Sequence, residues 1–310
     1  MLTVMAAFGL KFNFFGNSTM QLTPANIRAV QVGFNTTFNN AFNDAPSDYD
    51  KIAMITASTH SSETYAWMGK TTGFSEWLGD RVIQNLSASS YTITNKKFEN
   101  TIGVDRDDIE DDNFGVYTPM IAQLGQDAKV HPDTLIFDLL KNGFSNTCYD
   151  GQYFFDTDHP VGNTTYSNNQ GGAGTPWFLI DTSKAIKAFI FQKRRDYKFV
   201  AMDKLDDEIV FSTDKFRYGV DARVNAGYGL PQLAYGSKQT LDLSSYAAAR
   251  ATMRSLKGDN GRVLNINPTL LVVPPSLEAQ ALQILNAEMV NNTTNVYRGT
   301  ADLLVSPWLS

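Results

Sequence analysis

One apolar face persists from Thr118 to Asn142, where Met120, Ile121, Leu124, Ala128, Leu135, Ile136, Leu139 and Leu140 recur at helical spacing. A stripe held over that length predicts the longest helix of the scaffold. Thr118 and Pro119 read as its N-cap and first turn, and Asn142 and Gly143 as its end. Pro132 removes the bond to the Ala128 carbonyl, which predicts a kink or a restart at that point.

Just before this helix, Asp105, Asp107, Asp108, Glu110, Asp111 and Asp112 crowd six carboxylates into eight positions. A calcium loop needs Gly at its sixth position and a bidentate acid at its twelfth, and counting from Asp105 these are Glu110 and Val116. The spacing therefore argues against a metal. Asp107 and Glu110 instead form a capping-box-like pair, with acidic groups at the positive end of a helix dipole.

Upstream, Thr23 and Pro24 open a helix over 24–42 with Ile27, Val30, Phe34 and Phe38 on one face. From 50 to 104 the chain alternates β-branched and aromatic residues in TYAWMGK and YTITNKKFENTIGV, which predicts two long strands joined by an elaborate tip. An isolated hairpin buries little, so this one requires a partner. Trp67 and Trp77 flank its tip, either as a small local core or as an intersubunit anchor with Lys70 and Arg81 as rim charges.

Downstream, residues 148–180 read as loop-rich, with strands around 186–192, 208–212 and 216–224. A helix from Ser245 to Lys257, a buried strand at 270–273 and a helix from Ser276 follow, the last with Leu277, Ala281, Ile284, Leu285 and Met289 on one face. DLLVS is a final strand.

Composition narrows the function. A net charge of −6 gives no electrostatic footprint for specific nucleic-acid binding, and Lys193, Arg194 and Arg195 are the one basic run. Cys148 is the single cysteine and has no internal disulfide partner, which fits a reducing compartment. No stretch reaches 18 uncharged apolar residues, so no membrane span is expected. Residues 1–19 lack the basic start and cleavage pattern of a signal peptide and read as an N-terminal extension.

The most enzyme-like spot is FDTDHP. Asp156, Asp158 and His159 there form the candidate set for a metal-dependent hydrolase, although adjacent Asp and His in a turn usually bond local backbone. MGKTTG lacks the first Gly of a phosphate loop, because Thr64 stands in its place. No cofactor is expected. A tail or fibre module, suggested by strand content, is a further alternative.

Seven stretches in order, TYAWMGK (64–70), EWLGDR (76–81), RDDIEDDNFGVY (106–117), CYDGQYFFDTDHP (148–160), FIFQKRR (189–195), AGYGL (226–230) and LVVPPSLEAQALQILN (271–286), resemble the Mu-like phage major head subunit. The resemblance implies an α+β capsid fold of the Hong Kong 97 type and no enzyme. It implies an N-terminal arm at 20–57, an E-loop at 58–104 and a P-domain at 105–236 that includes a spine helix over 107–143. The A-domain and closing strand then occupy 237–310, with residues within 150–185 as an alternative part of the A-domain.

The implied role is a major capsid protein that self-assembles as hexamers and pentamers into an icosahedral shell enclosing phage or prophage DNA. The shell would be assembled in the bacterial cytoplasm with portal, scaffold or protease, and decoration proteins as partners. Its hairpin would lie over a neighbour, making Trp67, Lys70, Trp77 and Arg81 the candidate subunit-interface residues. Some shells of this fold cross-link a hairpin Lys to a neighbour's Asn, chemistry for which Lys70 is the candidate nucleophile.

Overall fold

The computed structural model describes residues 20–65, 91–258, 261–290 and 292–310. In chain order these form helix α1 (Pro24–Asp44), the short helix α2 (Tyr49–Ile52), and strands β1 (Ala53–Ala57), β2 (Ser62–Tyr65), β3 (Tyr91–Thr94) and β4 (Lys96–Asp105). Helices α3 (Arg106–Glu110) and α4 (Thr118–Asn142) follow. Strands β5 (His159–Val161), β6 (Thr164–Tyr166), β7 (Asn169–Gly172) and β8 (Trp177–Ile180) come next. The long strands β9 (Phe189–Met202) and β10 (Lys215–Tyr228) flank helix α5 (Glu208–Thr213). The chain continues through β11 (Ala234–Lys238), α6 (Leu243–Ser255), β12 (Leu270–Val273), α7 (Glu278–Asn286), β13 (Met289–Val290), β14 (Thr293–Thr294) and β15 (Asp302–Val305).

The chain divides into two compact units. One comprises residues up to Asp44 with 99–126 and 199–220. Here α1 buries the four residues its periodicity marks, Ile27, Val30, Phe34 and Phe38. Phe34 meets the Tyr218 ring edge-on at 5.0 Å, and Phe38 packs on Phe199 at 5.4 Å. A side chain at Gly125 of α4 would put its Cβ 2.5 Å from the Phe38 carbonyl oxygen, so only glycine permits this approach.

The second unit holds residues 45–98, 127–198 and 221–310. Its centre is a five-stranded sheet in the order β15, β12, β8, β11, β7. β12 runs parallel to β15 and antiparallel to β8, which is antiparallel to β11 in turn. Trp177, Phe178, Leu179 and Ile180 of β8 and Leu271, Val272 and Val273 of β12 are inaccessible to solvent. Strands covered on both faces read as unbroken apolar runs without alternation. The predicted strand at 270–273 is present, whereas β8 lies in the stretch read as loop-rich. Its WFLI run is only four residues long, and the Asn- and Gly-rich sequence before it masks the signal.

Several local expectations are corrected. Residues 208–212 are helical: α5 buries one side chain, Val210, starts with the Phe211 amide bonding the Asp207 carbonyl, and stops at Asp214 in the left-handed region. A short apolar run such as Ile209–Phe211 does not separate a helical turn from a strand. Thr118 has helical φ and ψ and is entered through a 3-10 turn over Phe114–Tyr117, so it is not an N-cap. α4 continues through Pro132 without a restart. Along that helix Met120 is half-exposed while Phe137 is buried. Met289 lies beyond α7 and is 61% exposed. The real cap of α6 is a capping box, in which Ser245 N donates to Asp242 Oδ1 at 2.8 Å and Asp242 N donates to Ser245 Oγ at 3.0 Å.

Candidate functional sites

Three places carry the residues singled out in the sequence. The first is the root of the predicted hairpin. β2 and β3 pair antiparallel from Ser62 opposite Thr94 to Tyr65 opposite Tyr91, which forms the root of the predicted hairpin among the described residues, and β4 carries the second strand on to Asp105. The candidate interface residues Trp67, Lys70, Trp77 and Arg81 fall outside the described residues.

A buried amide clamps this root. Gln192 of β9 accepts from the Tyr65 hydroxyl at 2.9 Å and donates to the Ile93 carbonyl at 3.1 Å and to Asn95 Oδ1 at 2.9 Å. Asn95 passes the network on to Ser58 Oγ and the His60 carbonyl. Glu63 collects the amides of Thr59 and His60 and the Ser58 hydroxyl, and these bonds, the Thr59 amide first, bring its carboxyl down to about 2. Beneath lie Tyr65, Ile93 and Ile190 as a small apolar cluster. Gly227 completes the fit, since a Cβ there would sit 2.4 Å from Ile93 Cδ1. Both polar atoms of the Gln192 side chain are used, which ties β2 and β3 to β9.

The second place is the acidic turn. Its carboxylates meet cations and hydroxyls: Asp105 pairs with Lys215 Nζ at 2.9 Å, Glu110 with Arg106 Nε at 3.1 Å, and Asp108 accepts from the Tyr117 hydroxyl at 2.5 Å. The expected capping box between Asp107 and Glu110 does not form. Asp105 occupies the N-cap position of α3 without a side-chain cap bond, because its carboxylate faces Lys215. No metal-ligating cluster occurs at this turn among the described residues.

The third is a buried polar hub that sequence reasoning located only in part. His159 is there, but its carboxylate partner is Asp150, not Asp156 or Asp158. Asp156 accepts the Tyr153 and Thr157 amides, the local backbone bonding expected of a turn. His159 Nδ1 lies 2.7 Å from Asp150 Oδ2, and Nε2 lies 3.1 Å from Asn168 Oδ1. The Asn168 amide group donates to the carbonyls of Phe154 and Pro231, so its oxygen accepts and His159 Nε2 must carry a proton.

Asp150 also accepts from the Cys148 thiol at 3.0 Å and the Gln152 amide at 3.0 Å. Burial pushes its carboxyl up, but the bonds from His159 and Cys148 outweigh this and hold it below the usual range. A proton lies between Asp150 Oδ2 and His159 Nδ1, since two bare acceptors would repel at 2.7 Å. Burial, followed by the neighbouring Asp150, pushes the Cys148 thiol well up, so it is not a free nucleophile. His159 is wholly inaccessible, and a hydrolytic metal requires an open position that a substrate can reach. Asp156, Asp158 and His159 do not come together as a metal-ligating set among the described residues. A sequence signal for the hub exists: Asp150 precedes Gly151, which turns at φ 87°, and folds the CYDG turn back toward HP.

Residues 27–309 match the family of the Mu-like prophage major head subunit gpT. The chain is 43% identical over 305 residues to the major capsid protein of Escherichia phage Mu, covering 94% of this chain and 100% of that protein. Its fold superposes on the subunit of the bacteriophage JBD30 procapsid with a TM-score of 0.84 at 43% identity, over 93% of this chain and 100% of that one. The subunit of the JBD30 capsid decorated with minor capsid protein trimers gives 0.74 at 34% identity, over 93% and 99% of the two chains. A match across nearly the whole chain, in sequence and in fold, makes this protein a member of the Mu-like major head subunit family, a structural protein of the phage capsid with the Hong Kong 97-type fold.

Proposed function

We propose that copies of this chain assemble as hexamers and pentamers into the icosahedral shell that encloses phage or prophage DNA. The observation that carries the reading is the near full-length likeness to head subunits. The surface supports it as well. Phe211 is 90% exposed and Val296 76%, and isolated apolar side chains this open are natural anchors for a second copy. Among the described residues no helix is long and apolar enough to cross a membrane.

In this reading assembly takes place in the bacterial cytoplasm with a portal and a scaffold or protease, and minor capsid trimers like those on the JBD30 capsid bind the finished shell. The chain works through repeated contacts, not turnover. Arm, E-loop, P-domain and A-domain take the boundaries given above. The sheet joining β7 and β8 to β11, β12 and β15 favours assigning part of 150–185 to the A-domain.

Trp67, Lys70, Trp77 and Arg81 are proposed as interface residues on the hairpin tip. Sedimentation of the protein co-expressed with its neighbouring genes, followed by negative-stain imaging, tests the assembly. Closed particles are expected from the parent, and a monomer or dimer under every soluble condition would refute the shell. Trp67→Ala and Trp77→Ala should lower particle yield while leaving subunit folding intact. Parent-level yields from both would remove the interface assignment.

A further inference from the structure

The hub offers one sulfur, one nitrogen and one carboxylate oxygen from Cys148, His159 and Asp150, all within 4.8 Å of one another. Zinc takes sulfur, nitrogen and carboxylate oxygen ligands in tetrahedral four-coordinate sites, and three protein ligands leave the fourth position to a water. The surroundings match what such a site needs beyond its ligands. His159 turns its Nε2 proton to the Asn168 carbonyl oxygen, the outer bond that ordinarily orients a metal-ligating imidazole and leaves Nδ1 for the metal. Asp150 Oδ1 is held by the Gln152 amide, leaving Oδ2 on the Nδ1 side.

A second observation is independent of these. The Tyr166 ring stacks on His159 at 4.9 Å and 17°, and its hydroxyl is buried without a hydrogen-bond partner among the described residues. A buried hydroxyl without a partner is costly, and a metal-bound water in the fourth position would answer it.

We propose that Cys148, Asp150 and His159 form a structural site for one divalent zinc ion that staples the loop between Cys148 and Asn168. The charges balance. In the hydrogen-bonded form the Asp150 and His159 pair with its shared proton and a neutral thiol sum to zero. Zinc displaces one proton from Sγ and the one between Oδ2 and Nδ1, and both go to solvent. The dication, carboxylate, thiolate and neutral imidazole again sum to zero, so binding adds no net charge to a buried site. The present separation of 2.7 Å between Nδ1 and Oδ2 must widen by less than about 1 Å to reach the ligand spacing of a tetrahedral ion, and the ligand atoms of all three residues already lie within 4.8 Å of one another.

The test is done on the full chain as a soluble subunit. After dialysis against metal-free buffer, zinc alone is titrated and retained metal is measured by elemental analysis. One zinc per chain is expected, with two protons released per zinc in weakly buffered solution. Cobalt in place of zinc should show thiolate-to-cobalt charge transfer, absent in Cys148→Ser. Asn168→Ser should weaken binding by roughly 10–100-fold, the usual cost of an outer-shell partner. Asp156→Asn should bind as the parent does.

No retained zinc, or equal retention in Cys148→Ser and His159→Gln, would overturn the site. If His159→Gln does not fold, the cobalt-loaded parent decides, and the absence of thiolate-to-cobalt charge transfer overturns it. Particle formation by the parent is a separate readout, so failure of the metal site leaves the shell reading untouched.

Discussion

The acidic turn at 105–112 and the hub around His159 are both clusters of ionisable residues, yet they rest on opposite physics. The turn holds six carboxylates, and its ion pairs are half in water: Asp105 and Lys215 keep 51% and 50% of their side-chain surface exposed. The hub has one carboxylate and one imidazole, exposed by 7% and 0%. Water does most of the work at the turn, whereas in the hub every charge depends on a specific partner. Charge density in a sequence is thus a poor guide to where charge matters. The decisive variable is burial.

The largest expected effect follows from this contrast. Asp150→Ala strips the buried His159 ring, the Cys148 thiol and the Gln152 amide of their shared acceptor and should cost about 3–5 kcal/mol in denaturant unfolding of the unassembled subunit. Replacing both partners by apolar residues of similar volume, Asp150→Leu with His159→Phe, should recover most of that loss. A single variant no worse than a surface substitution would break the comparison, since it would mean that water reaches the hub.

Acidity separates buried carboxylates from one another as well. Asp133 of α4 accepts the amides of Asp48 and Tyr49 at 2.9 and 2.6 Å, and burial raises its carboxyl to about 6. Because its folded value lies above the unfolded one, the folded state binds the extra proton between about pH 4 and 6. Its unfavourable contribution is complete above pH 6 and disappears as the pH falls toward 4. Asp150 has the opposite sign: its lowered carboxyl contributes stability above the unfolded value of about 3.9 and loses it as the pH falls through the folded one. Stability should therefore rise on acidification from pH 6 to 4 and fall below it. Asp133→Asn keeps an acceptor for both amides and should flatten the upper limb alone. An unchanged profile in that variant would assign the limb elsewhere.

How much of this was legible in the sequence depended on the range of the interactions. Elements set by local periodicity were readable: the face of α1, the LLVV strand and the approximate span of α4 all depend on residues a few positions apart. α5 was misread because a short apolar run fits either period. The hub was seen at His159 but given the wrong carboxylates, since Asp156 and Asp158 are neighbours in sequence while Asp150 reaches His159 only after the Gly151 turn. Gln192 was invisible as a clamp. Its partners Tyr65, Ile93 and Asn95 lie about a hundred residues away, and a lone glutamine in a strand carries no signal of burial.

The smallest effect sharpens the comparison from the exposed side. Lys215→Ala removes the partner of Asp105, and Arg106→Ala frees Glu110, which it holds at 3.1 Å, and Asp214, at 3.8 Å. Each should change unfolding free energy by about 0–1 kcal/mol, because solvated pairs gain little over their separate hydration. Raising ionic strength from about 0.1 to 1 M shortens the screening length from roughly 10 to 3 Å and should erase even this difference. The same salt change should leave the cost of Asp150→Ala intact, since a pair excluded from water is excluded from its ions. A double-mutant cycle of Asp105 and Lys215 that returned a salt-independent coupling above about 2 kcal/mol would place the turn with the hub, and burial would no longer be the variable that divides them.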